Sequence, residues 1–204
     1  MITERDKKVY HFLAESRLPF TISQIADMFY NQTGNHRSAY TIASRRINVM
    51  QKAGYIEKRG SSSFAGETLI YTVKPSKQLR HQLTLSKFIA HLMTNGFQVL
   101  HVDTEKTFEN YGNYGIRCDG FLQVQYNKSK FFVIVEVNLN TSFNPKYDHF
   151  TKDIIDGKIK LNHPVIFVNI CDYKFDSSKF NYCKPLTIKT DMQNFSKFQY
   201  LFIK

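Results

Sequence analysis

Two acids are set into runs that otherwise read as core: Asp119 in "IRCDGFLQVQY" and Glu136 in "FFVIVEVNL", 17 residues further on. A carboxylate is expensive to bury alone, so each needs a proton, a cation or a set of donors beside it. The polar "YNKSK" between the runs predicts a hairpin turn near residues 127–129. That hairpin puts the two acids on adjacent strands, where they can share one face. Paired carboxylates repel unless a proton or divalent cation intervenes, and a hard cation takes oxygen ligands. Asp119 and Glu136 are therefore candidate ligands for Mg or Mn, with the backbone carbonyl of Val137 as a further oxygen. Blander roles stand beside this one. Asp119 can serve as a turn or cap acid next to Gly120, and Glu136 can pair with Arg117 or Lys146 or face solvent on an edge strand.

Periodicity indicates what positions these acids. "LRHQLTLSKFIAHLMTNG" reads as a helix with Leu83, Phe88, Ile89 and Leu92 near one face, stopped by Gly96. After it come an expected strand 97–102, loop 103–114, strand 115–126, strand 130–138, helix 145–160 and strand 164–170, then a final apolar strand in "FQYLFI". The order describes a mixed sheet with helices packed on it. Asn144 is placed to cap a helix opened by Pro145, turning Tyr147 and Phe150 to the sheet and leaving Lys146, Lys152, Lys158 and Lys160 as positive charge.

The first 74 residues read differently. Val9, Phe12 and Leu13 mark one helix ending near Leu18 and Pro19, and Ile22, Ile25, Ala26 and Phe29 mark a second with Thr21 or Ser23 as its cap. In helix 37–53, Ala39, Ala43, Ile47 and Met50 recur at buried spacing, and Gly54 ends it. "YIEKRG" and "TLIYTV" follow as two strands around "SSSFAGE". Three helices and a hairpin in this order describe a winged helix-turn-helix. With its apolar stripe turned inward, helix 37–53 offers Arg37, Thr41, Ser44 and Arg45 to base edges, while Arg46, Lys52, Lys58 and Arg59 suit phosphates. The alternative is a solvated basic surface that docks protein. "KPSKQLRHQLT" is the expected boundary, giving a domain over 1–74, a linker over 75–84 and a domain over 85–204.

"ASRRINVMQKAGYIEKRG" resembles the recognition helix and wing entry of bacterial winged-helix proteins, and "CDG" followed by "EVN" resembles the PD-(D/E)xK nuclease-like fold. Taken together over about residues 8–170, the chain resembles the replication-relaxation family of plasmid and other mobile-element proteins. The resemblance implies a winged helix followed by a restriction-endonuclease-like mixed-sheet domain, α+β and α/β in class. It implies metal-ligand roles for Asp119 and Glu136, and it sets Asn138 where an active nuclease has lysine and Cys118 where proline is usual. Asn carries no charge and is no general base at neutral pH, so the second domain is expected to be degenerate unless Lys146 or Lys152 returns an ammonium group to the site. Asp103 or Glu105 could add an upstream acid.

Composition narrows the partners. A formal net charge of +11 favours a polyanion, and residues 1–80 carry 13 Lys/Arg against 6 Asp/Glu, the stronger share of it. The three cysteines lack zinc spacing and suit a reducing compartment. No apolar run reaches membrane-spanning length, and the expected location is cytoplasmic. The leading expectation is a double-stranded DNA-binding accessory or regulatory protein of a mobile element, acting as a homodimer on a repeated site. A metal-dependent endonuclease and a module that docks a host, replication or mobilisation protein are the alternatives.

Overall fold

The computed structural model describes residues 1–31, 34–60, 66–75, 78–105, 116–140 and 143–202. The chain is a mixed α+β protein that divides into two compact units, Met1–Gly96 and Phe97–Lys204.

In the first unit, α1 (Glu4–Ser16) starts at a capping box in which Thr3 and Asp6 each accept the other's backbone N–H. It stops at Arg17, whose φ of 54° is left-handed, so the helix ends just before the expected Leu18. β1 (Phe20–Thr21) leads into α2 (Ile22–Phe29), capped by a second box between Thr21 and Gln24. α3 (His36–Lys52) buries Ala39, Ala43, Ile47 and Met50, the stripe expected from the sequence. Gly54 follows it at a φ of 76°, a conformation glycine adopts without the Cβ clash. β2 (Glu57–Arg59) and β3 (Leu69–Tyr71) pair antiparallel as expected, and β1 adds to β3 to complete a sheet of order β1-β3-β2. Residues 61–65 of the loop between β2 and β3 lie outside the described set.

The passage expected as a boundary is partly helical, as the run from Leu79 indicated. α4 (Leu79–Thr94) begins inside it and packs on α2 and β1, with the Ser86 hydroxyl donating to the Pro19 carbonyl at 2.6 Å. Leu85, Phe88, Ile89 and Leu92 are buried along the helix. Burying that surface ties α4 to the first unit and moves the division of the chain to Gly96 and Phe97.

The second unit is built on a five-stranded mixed sheet: β4 (Gln98–Thr104), β5 (Gly120–Tyr126), β6 (Ser129–Val137), β7 (Val165–Ile170) and β8 (Leu186–Ile188), adjacent in that order. β4, β5 and β6 form an antiparallel meander, and β7 and β8 run parallel to β6. Asn127 and Lys128 make the tight β5–β6 turn, both at positive φ, as a two-residue hairpin requires. α5 (Lys146–Ile155) buries Tyr147 and Phe150 in a cluster with Ile134, Phe143 and Phe167. On β6 the alternate residue Phe131 instead meets Phe198 and Phe202. The tail corrects an expectation: the described residues 198–202 of "FQYLFI" form no strand, and their start falls in the short helix α6 (Ser196–Gln199), which turns Phe198 into the core. The terminal strand of the sheet is the earlier β8.

Candidate functional site

The β5–β6 register brings the two acids together. Gly120 lies opposite Val135, so Asp119 and Glu136 occupy the next rung, and Glu136 lies opposite Asn169 on its other side. Their carboxyl groups lie close enough for Asp119 to act on Glu136. Asp119 Oδ2 also accepts the Val137 N–H at 2.7 Å, and Glu136 Oε1 accepts the Tyr147 hydroxyl at 2.5 Å. Burial pushes the Glu136 carboxyl up to about 8; the Tyr147 hydroxyl opposes that rise and the Asp119 charge adds to it. Burial, then the charge of Glu136, raises the Tyr147 phenol and keeps it a donor. Burial, with the same two acids, likewise raises the Cys118 thiol.

The neighbouring groups are engaged elsewhere. Asn138 donates through Nδ2 to Asn169 Oδ1 at 2.8 Å, and Asn169 donates to Cys171 Sγ at 3.4 Å, forming a buried amide bridge between β6 and β7. Lys146 is exposed at the start of α5, where its backbone N–H donates to Asn144 Oδ1. Lys152 pairs with Asp156 at 2.6 Å and lies over the Tyr182 ring, and Arg117 pairs with Glu105. Glu136 therefore has a hydroxyl and a carboxyl beside it, in place of the arginine or lysine weighed from sequence. Asp103 sits on β4 opposite Phe121, near enough for its charge to act on Cys118. Two carboxylates on one face suit a hard cation in kind. Among the described residues, no group of three or more His, Cys, Asp or Glu side chains is arranged to hold a metal.

The basic residues of the first unit separate into two sets. Arg37, Thr41, Ser44 and Arg45 share one side of α3 at spacings of a helical turn, Arg37, Thr41 and Arg45 exposed and Ser44 half-buried. The Thr41 hydroxyl donates to the Arg37 carbonyl at 3.0 Å. Lys52 is exposed in the last turn, as is Arg59 on β2. Lys58 is half-buried and donates to Asn48 Oδ1 at 2.5 Å. α3 contains no acidic residue, and the unit carries 14 Lys/Arg against 6 Asp/Glu, compared with 14 against 11 in the second unit.

Arg46 departs from the phosphate role expected for it. Its guanidinium donates to both oxygens of the fully buried Asp6 and, at 2.8 Å, to the Met1 carbonyl. Asp6 further accepts the Thr3 N–H at 2.7 Å and the Tyr30 hydroxyl at 3.2 Å. Burial alone would raise the Asp6 carboxyl, but the hydrogen bonds from Arg46 and Thr3 outweigh it and hold the group at about 2. Arg46 thus links α3 to α1, and Asp6 in turn joins α1 to Tyr30 at the end of α2. Two signals in the sequence point this way: Arg46 is three residues after buried Ala43 and four before buried Met50, and Asp6 stands at the capping-box spacing after Thr3.

No family model matches the chain, and no curated protein matches it in sequence. Among the described residues, no helix is long and apolar enough to cross a membrane.

Proposed function

We propose that the protein binds double-stranded DNA, with Met1–Gly96 acting as a winged helix-turn-helix and α3 as its reading helix. The observation that carries this reading is the acid-free exposed side of α3, where Arg37, Thr41, Ser44 and Arg45 line up opposite a fully apolar buried stripe. Arginine bridges the guanine acceptors and hydroxyls reach either kind of base edge, while Lys52 and Arg59 contribute charge for phosphates. In this reading the second unit is a degenerate nuclease-like domain, and the protein serves as an accessory or regulatory factor of a plasmid, phage or other mobile element, working as a homodimer in the cytoplasm. The resemblance described above supplies the mobile-element context and a replication or mobilisation protein as a further partner.

The test is a gel shift with duplex fragments at two salt concentrations and excess competitor DNA. Binding that survives competitor and is selectively weakened by Arg45→Ala is the expected result. Absence of binding at low salt contradicts the reading.

A second reading is favoured by the Asp119–Glu136 rung itself: a Mg- or Mn-dependent endonuclease. Asp119, Glu136 and the Val137 carbonyl would hold the cation, which supplies charge stabilisation at a phosphodiester. Asn138, bridged to Asn169, brings no ammonium group, and Lys146 is the side chain left to provide one. Metal-dependent cleavage lost in both Asp119→Ala and Glu136→Ala, with duplex binding retained, would establish this reading. Cleavage unchanged in both variants would remove it.

A further inference from the structure

Lys58 was expected to meet phosphate, yet its ammonium group is turned back to the side-chain carbonyl of Asn48 at 2.5 Å. Asn48 is exposed, three residues beyond Arg45 and four beyond Ser44, so it continues the line of Arg37, Thr41, Ser44 and Arg45 by one turn of α3. A lysine ammonium only donates, so the contact settles the orientation of the amide: Oδ1 faces β2 and Nδ2 faces away from it. A free Asn reads adenine with both ends, donating to N7 and accepting from the N6 amine. In Asn48 one lone pair of the accepting oxygen is already engaged and a positive charge lies beside it, which disfavours an approaching base amine. What remains is a cluster of N–H donors, two on Nδ2 and two on the ammonium group.

We propose that Asn48, oriented by Lys58, is a base-reading residue that selects a guanine edge, whose O6 and N7 are adjacent acceptors. The inference rests on the DNA-binding reading above and adds a residue and a base preference to it. Asn48 is the group that meets the base, and Lys58 is a positioning residue that acts through it.

The experiment selects binding sites for the full chain from a pool of duplexes with a randomised core and then compares Asn48→Asp, Asn48→Ala and Lys58→Met on the recovered site and its single-base variants. Asn48→Asp keeps a partner for Lys58 and removes both Nδ2 donors. It is expected to lose preference for guanine at one position by roughly five- to a hundred-fold, with the other positions unchanged. Asn48→Ala is expected to lose the same preference. Lys58→Met frees the amide and is expected to shift that same position toward adenine. Circular dichroism checks folding, and Asn48→Ala decides the matter if the aspartate variant does not fold.

A wild-type site unaltered by either Asn48 variant overturns the proposal. So does a Lys58→Met variant that weakens all sequences equally and lowers the salt slope by about one, as a phosphate contact would. Binding without sequence preference in the wild type overturns it too, while leaving DNA binding itself intact. No duplex binding by the wild type defeats the DNA-binding reading, and this inference falls with it.

Discussion

Arg45 and Arg46 are neighbours in the chain with opposite surroundings, one exposed on the proposed reading face and the other bonded to a buried acid. Removing one partner of a buried pair leaves the other charge unsatisfied, so Arg46→Ala is expected to lower the stability of the first unit by about 3 kcal/mol. Arg45→Ala is expected to stay within about 0.5 kcal/mol of wild type. Denaturant unfolding of both variants checks the contrast, and equal stabilities would show that Arg46 is not a structural tie. The two perturbed acids give opposite responses to pH. Asp6 is depressed to about 2, so its contribution is present above the unfolded carboxylate range and is lost as pH falls from about 4 through 2. Glu136 is raised from 4.5 to about 8, so the folded state holds the extra proton between those values and stability falls as pH rises across that window. Unfolding midpoints measured from pH 4.5 to 8 are expected to decline in wild type and to flatten in Glu136→Gln; a flat wild-type profile would contradict the burial assigned to this acid.

At the scale of elements, what could be read in advance depended on whether a local pattern carried the information. The α3 stripe and the β5–β6 hairpin are local: one repeats Ala39, Ala43, Ile47 and Met50 at helical spacing, and the other brackets a polar turn with apolar runs. The Asp119–Glu136 rung followed from the hairpin register. Tyr147 was expected to pack on the sheet, but its bond to Glu136 depends on how α5 lies over that sheet, a long-range fact with no local pattern. The same holds for Asn169 beneath Asn138 and for β1, whose two residues are a strand only because β3 is beside them. The "FQYLFI" tail was misread because an apolar run fits a strand and a buried helical turn equally well. The cap of α2 was foreseen as Thr21 or Ser23, and Thr21 holds the place through its capping box with Gln24. Thr21→Ala is expected to cost about 1 kcal/mol in thermal or denaturant unfolding, and no loss would mean that packing alone starts the helix.

For the whole molecule, the division at Gly96 has a direct consequence for dissection of the chain. A fragment of residues 1–96 keeps α4 against α2 and β1, with the Ser86 bond to Pro19. A fragment of residues 1–74 removes that helix and uncovers apolar surface. The longer fragment is expected to unfold cooperatively by circular dichroism at a clearly higher temperature than the shorter one, and equal midpoints would restore the boundary expected near 75–84. The longer fragment also contains every residue proposed to meet duplex DNA, along with a net charge of +8 from its 14 basic and 6 acidic residues.

The most direct measurement is fluorescence anisotropy of a labelled duplex titrated with the full chain over a series of salt concentrations, for wild type and the Arg37→Ala/Arg45→Ala double variant. The DNA-binding account predicts saturable wild-type binding whose affinity falls linearly on a logarithmic salt scale, with a weaker affinity in the double variant. Identical curves for the two proteins, or no wild-type binding at low salt, would contradict it.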